Sequence, residues 1–199
     1  MTHRTKIDDE IKVILIGESA TGKTSLINTS IGLQFKEHLD STATNSFVPK
    51  KITIGNKEYT VNLWDTIGQE KFRSLTKIFI KDSKIVIFVY DITRKKSFEE
   101  LNFWIKTIHD ILGDDPVCGI VGNKQDLYLK EEVKEEMGKK FAEEQKMPFK
   151  LTSAKNPLSF NQMLEDLVKA YIEKNGGVIE STGGTKLEEK KQKKKDKCC

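Results

Sequence analysis

Gly17-Glu18-Ser19-Ala20-Thr21-Gly22-Lys23-Thr24 follows the apolar run Val13-Ile14-Leu15-Ile16 and precedes helix-like sequence. Gly17 and Gly22 let the backbone curl close round an anion, so that successive N–H groups and a helix N-terminus running into Ser25 face the phosphates of a nucleotide. Lys23 then reaches the β- and γ-phosphate oxygens, and Thr24 offers a hydroxyl to Mg²⁺. A glycine-rich turn between strand and helix explains the glycines but not the Lys-Thr pair behind them. The stretch is read as a phosphate cradle, in which each residue from Gly17 to Ser25 is a candidate nucleotide contact.

Working outward, β-branched apolar runs alternate with amphipathic helical patterns. The runs predict strands at Lys12–Ile16, Phe47–Ile54, Tyr59–Trp64, Ile85–Tyr90, Val117–Gly122 and Phe149–Thr152. Gly55-Asn56 joins the second and third as an antiparallel hairpin, and helices separate the others, which makes them parallel. The expected architecture is an α/β, doubly wound, six-stranded sheet, mostly parallel with one antiparallel strand and helices on both faces. Ser97-Phe98-Glu99-Glu100 reads as a capping box ahead of a helix carrying Leu101, Trp104, Ile105, Ile108 and Leu112. A last helix, bearing Phe160, Met163, Leu164, Leu167, Tyr171 and Ile172, stops at Asn175-Gly176-Gly177. Residues 1–10 are then an N-terminal extension, 11–175 one nucleotide-binding domain and 176–199 a disordered basic tail.

At 199 residues the chain suits a single domain. Between Lys186 and Cys199, seven lysines stand against three acidic residues, which accounts for the whole net charge of +4. The body is neutral, so the expectation is no nucleic-acid partner and a tail aimed at an anionic surface. No apolar stretch approaches the roughly 20 residues of a membrane span, and the N-terminus lacks a signal core. The chain is therefore expected in the cytosol. Cys118 lies in an apolar run, and Cys198 and Cys199 end the chain, a pattern that excludes a disulfide framework. His3, His38 and His109 have no ligand-like spacing and are assigned no chemistry.

Ligands of open doubly wound sheets sit at the carboxyl ends of the strands, where the remaining motifs fall. Trp64-Asp65-Thr66-Ile67-Gly68-Gln69 places Asp65 to hold Mg²⁺, commonly through water. Gly68 turns beneath the γ-phosphate, and Gln69 orients the attacking water. Asn123-Lys124-Gln125-Asp126 supplies a carboxylate for the ring N–H and exocyclic amine of guanine and a lysine stem for its face, while Asn123 ties the loops together. Ser153-Ala154-Lys155 brings a backbone N–H to the guanine oxygen.

In this order the elements resemble the Ras superfamily of small GTPases, over residues 11 to about 174. Val89-Tyr90-Asp91-Ile92-Thr93, Lys71-Phe72-Arg73-Ser74-Leu75-Thr76, Trp64 before Asp65 and the terminal Cys198-Cys199 are similar to Rab proteins. The resemblance implies the P-loop GTPase fold and a monomeric GDP/GTP switch with bound Mg²⁺ that regulates vesicular membrane traffic. It implies Lys23, Gln69 and Thr42 as catalytic residues, Thr24, Thr42 and Asp65 round the metal, and Phe35 against the guanine. Exchange factor, activating protein, dissociation inhibitor or escort protein, and effectors would meet the switch regions. Geranylgeranylation of Cys198 and Cys199 would anchor the protein on the cytoplasmic face of an intracellular membrane, since the ending lacks the C-a-a-X form.

The departures are also specific. Ala43-Thr44-Asn45-Ser46-Phe47 keeps only the phenylalanine of the usual stretch, which leaves Thr44 as a rival γ-phosphate sensor to Thr42. Ile67 replaces a small alanine, and Phe79-Ile80-Lys81-Asp82-Ser83 replaces a pair of tyrosines with Arg-Gly. Two further readings stand beside the switch: a pseudo-GTPase scaffold that holds nucleotide with negligible hydrolysis, favoured by Ile67, and an ATP-dependent enzyme, disfavoured by Asp126.

Overall fold

Both faces of a parallel sheet are buried by helices, and the strands here carry apolar residues in both alternating registers. The computed structural model describes residues 10–37, 46–66, 79–177 and Ile179. Its strands are β1 (Glu10–Ile16), β2 (Ser46–Ile54), β3 (Lys57–Asp65), β4 (Ile85–Asp91), β5 (Val117–Asn123) and β6 (Phe149–Leu151). They form one six-stranded sheet in the order β2-β3-β1-β4-β5-β6. Only β2 runs antiparallel, joined to β3 through the Gly55-Asn56 turn, and β1, β3, β4, β5 and β6 pair in parallel.

The alternation can be read residue by residue. Ile11, Val13 and Leu15 of β1, with Ile85, Ile87 and Val89 of β4, face a core shared with α1 (Lys23–Ser30) and with Phe160, Met163, Leu164 and Leu167 of a long C-terminal helix. Ile14 and Ile16, with Val86, Phe88 and Tyr90, face the opposite core. There they meet Leu101, Trp104 and Ile108 of a second long helix. The helices along the chain after α1 are α2 (Lys95–Glu99), α3 (Leu101–Leu112), α4 (Glu135–Glu144) and α5 (Leu158–Lys174). A short 3₁₀ helix, Gln125–Lys130, follows β5. Edge strand β2 carries Pro49 and the lysines Lys50 and Lys51, residues that blunt an open edge against pairing with another chain.

The strand order turns back beside β1, and the loops after β1, β3, β5 and β6 therefore open on one edge of the sheet. That edge is the topological switch point where such sheets hold ligands.

One local expectation is corrected. Ser97 does not cap a helix: it lies inside α2, buried, where its hydroxyl accepts the Asp91 N–H at 3.0 Å and donates to the Arg94 carbonyl at 2.7 Å. The N-terminus of α2 is closed from across the fold, by the Glu132 carboxylate accepting the Lys95 N–H at 2.7 Å. A distant acid has taken the role of the local serine, which is thereby released to brace the end of β4. Burial also pushes the unpaired Cys118 thiol up to about 11, an inert group on β5.

Phe160 has no exposed surface and plugs the core between α5 and the sheet. Phe160→Ala should cost about 3–5 kcal/mol. In urea unfolding this would appear as a lower midpoint with an unchanged slope, and an unchanged midpoint would contradict the assigned core.

Candidate functional site

The phosphate loop leaves β1 under close steric control. Gly17 has φ +152°, and a Cβ there would stand 2.1 Å from the Val89 carbonyl oxygen of neighbouring β4, so only glycine lets the loop start this near the sheet. Gly22 has φ +90° and begins α1 with no side-chain cap and no acidic residue in the first turn. The first amides of α1 lack partners within the helix and carry the positive end of its dipole. Within the loop, the Thr21 hydroxyl donates to the Glu18 carbonyl at 3.0 Å. Lys23 is buried and its ammonium donates to the Gly17 and Glu18 carbonyls, both at 2.9 Å. Burial pushes that amine down to about 8 against the pull of Asp65 and Glu18. A buried cation held on neutral carbonyls beneath an uncapped helix end suits an anion of high charge.

At the same edge, β3 delivers Asp65. The Thr24 hydroxyl donates to Asp65 Oδ2 at 2.6 Å, and the Thr66 hydroxyl donates to the Leu15 carbonyl at 2.6 Å, pinning the chain after β3 to β1. A hydroxyl and a carboxylate in contact are hard oxygen donors of the kind Mg²⁺ takes. Both residues therefore fit that ion.

The base half of the site hangs on Asn123 at the end of β5. Its side-chain amide donates to the Thr21 carbonyl at 2.8 Å, and it accepts the Thr152 hydroxyl at 3.3 Å. It thus joins the phosphate loop to the loops after β5 and β6, as the sequence reading expected. Asp126 accepts the Ser153 hydroxyl at 2.6 Å and pairs with Lys155 Nζ at 3.1 Å. Burial alone would push its carboxyl up, but the hydrogen bonds from Ser153, Lys155 and the backbone outweigh that and hold it below the usual carboxylate range. Lys155 Nζ also lies 5.5 Å from the centre of the Phe35 ring, and Ala154 is buried between its neighbours. Lys124 has left-handed backbone, φ 68°, and its ammonium meets Asp91 Oδ2 at 2.7 Å.

Residues from Gly17 to Ser25, with Phe35, Asp65, Asn123, Lys124, Asp126, Ser153, Ala154 and Lys155, thus gather on one edge of the sheet. Thr42, Thr44, Ile67, Gly68, Gln69, Cys198 and Cys199 lie outside the described residues. Two participants were not assigned from sequence. Asp91 ends the otherwise apolar β4, and Arg94 Nη2 donates to the Ser19 carbonyl at 2.5 Å. A charge terminating a wholly buried strand was the available signal.

Known proteins resemble the chain over most of its length. The Ras family model matches residues 12–173. The chain is 34% identical over 182 residues to the Ras-related protein Rab-2B of Dictyostelium discoideum, covering 90% of each. To the Ras-related protein Rab-21 of Homo sapiens it is 38% identical over 162 residues, 81% of this chain and 72% of the relative. To Rab-11C of Dictyostelium discoideum it is 38% identical over 157 residues, 79% of this chain and 70% of the relative. The chain belongs to the Ras family and is a small GTPase of the Rab type.

Proposed function

We propose that this GTPase binds GDP and GTP in the cleft at the carboxyl edge of the sheet and acts there as a switch in vesicular membrane traffic. The observation that carries the reading is the hydrogen bond from Asn123 to Thr21. It ties an anion-seeking loop to a loop bearing an ionised carboxylate, Asp126, whose acceptors match the paired N–H donors of guanine. Adenine offers no such donor pair at that edge.

In this reading Lys23 and the first amides of α1 hold the β- and γ-phosphates. Thr24, Asp65 through water, and Thr42 or Thr44 would hold Mg²⁺, which when bound neutralises charge on the phosphate oxygens. Gln69 orients a water whose oxygen attacks the γ-phosphorus in line as the bond to the β–γ bridging oxygen breaks. GDP leaves, and the proton of the attacking water ends on the released phosphate. No arginine occurs between Lys36 and Thr42, so an activating protein must bring one in trans for fast turnover. Membership of a family of GTPases favours hydrolysis over the inert-scaffold reading.

Effector contact is assigned to the aromatic face that β2 and β3 share with Phe79, together with residues 38–45 and 67–78, which adjoin these elements in sequence. Phe47 is half exposed there and stacks on Trp64 with ring centres 5.0 Å apart, and Phe79 follows at 6.2 Å. Membrane attachment is assigned to the tail, for among the described residues no helix is long and apolar enough to cross a bilayer. One lipid chain holds a protein only marginally, whereas lipids on Cys198 and Cys199 together with seven lysines supply stable residence. Residues 176–199, fully extended, span roughly 80 Å at most.

Asp126→Asn should weaken GDP binding roughly 100-fold and turn preference toward xanthosine diphosphate, because the amide presents a donor to a guanine donor. Competition of the two nucleotides against labelled GDP measures this, and unchanged GDP affinity would refute the assignment. The Cys198→Ser/Cys199→Ser double variant should move from the membrane to the soluble fraction of a cell lysate while retaining GDP. Sedimentation with membranes at the parental level would show that the tail is not a lipid anchor.

A further inference from the structure

Asp91 is the last residue of β4, a strand of seven residues all of which are buried, and is itself 1% exposed. A carboxylate so placed is costly unless charge partners compensate it, and in many proteins such a buried pair adds little net stability over apolar residues of similar volume. Its two oxygens differ: Oδ1 takes hydrogen bonds, whereas Oδ2 takes none and is met by charge alone. Oδ1 accepts the Thr93 N–H at 2.9 Å and the Thr93 hydroxyl at 2.7 Å. Oδ2 is shared by two cations, Lys124 Nζ at 2.7 Å and Arg94 Nε at 3.3 Å. The main chain of Asp91 is clamped as well, because Ser97 Oγ accepts its N–H and lies 3.2 Å from its carbonyl.

The two cations leave this oxygen in different directions along the cleft. Lys124 belongs to the loop assigned to the guanine and holds left-handed backbone while it reaches back to Asp91. Arg94 spans to the phosphate loop, where its far nitrogen donates to the Ser19 carbonyl. Ser19 and Lys124 come from separate loops and Asp91 from the end of β4 between them, so a single buried negative charge gathers the two halves of the site. Without it, Lys124 and Arg94 would face one another as like charges. The Asn123–Thr21 bond is a neutral tie between the same loops, and the Asp91 route is a second one built from charge.

We infer that Asp91 is a positioning residue for nucleotide retention, acting through Lys124 on the base and through Arg94 on the phosphate loop. The inference rests on the nucleotide cleft proposed above. It differs from a general stabilising role in what each arm controls. Loss of Arg94 should loosen only the grip on the diphosphate, whereas loss of the Asp91 charge should loosen both ends.

The test uses the full chain loaded with fluorescent GDP, with GMP as the ligand that lacks a β-phosphate. Asp91→Asn keeps an Oδ1 acceptor for Thr93 and removes the charge. It should release GDP about tenfold or more faster and weaken GMP by a similar factor, the scale of one charge-assisted contact. Arg94→Ala should release GDP about tenfold faster and leave GMP affinity within about twofold of the parent. Combining the two should add little to the Asp91→Asn effect on GDP, as expected for residues acting in one network. The Arg94 side chain is 42% exposed, so its removal leaves the core intact and decides the matter even if Asp91→Asn fails to fold. A parent that retains GDP while Arg94→Ala releases it at the parental rate overturns the inference alone. Equal weakening of GDP and GMP by Arg94→Ala does the same. A parent that holds no GDP removes the cleft reading and the inference with it.

Discussion

A lysine buried beneath an uncapped helix end is the constraint on which the rest of the site depends. Lys23 has lost most of its hydration, and its ammonium rests on two carbonyls of its own loop. The arrangement is tolerable because those carbonyls converge, and they converge because Gly17 lies against the Val89 carbonyl where a side chain has no room. That contact exists only if β1 and β4 are neighbours, each buried on both faces. Sheet order, loop conformation and the electrostatics of the anion site are therefore one requirement seen at three scales.

The second half of the cleft is organised by polar side chains that brace loops rather than by packing. Asn123 and Thr152 are buried and bonded to one another, Ser153 orients Asp126, and Asp91 gathers Lys124 and Arg94. Buried polar groups of this kind add little net stability, but each becomes expensive once a partner is removed. They therefore define loop positions sharply while contributing little to the total free energy of folding. The apolar side chains do the opposite: Phe160, Leu164 and Trp104 hold the layers together and leave the loops undetermined.

How legible this was depended on whether the signal was local. The strands stood out because their apolar runs fill both registers, and α5 because Phe160, Met163, Leu164, Leu167 and Tyr171 recur at helical spacing. The phosphate loop stood out because Lys23 and Thr24 directly follow its glycines, a pairing that a plain glycine turn leaves unexplained. Ser97 misled because a capping box is a local pattern, while the acid that closes α2 arrives from Glu132, in a segment beyond β5. Asp91 and Arg94 escaped assignment for the same reason. Nothing near them in sequence shows that one meets Lys124 or that the other reaches Ser19.

These contacts also divide the labour of a switch. GDP and GTP differ only in the γ-phosphate, and a ligand shifts a conformational equilibrium only as far as it interacts differently with the two states. Asn123, Asp126, Ser153 and the Asp91 pairs lie on the base side or behind the loop, so in the proposed mode they meet parts common to both nucleotides. They govern how long a nucleotide stays and cannot report which one it is. Discrimination must then come from groups at the phosphate end: Thr24 and Asp65, in contact with each other, and the assigned Thr42, Gly68 and Gln69. The chain around this end is tied down on both flanks, by Thr66 on the Leu15 carbonyl and by fully buried Ile80. Because the groups that would hold the base are distinct from those that would meet the γ-phosphate, the proposed mode separates retention of a nucleotide from recognition of which one is bound.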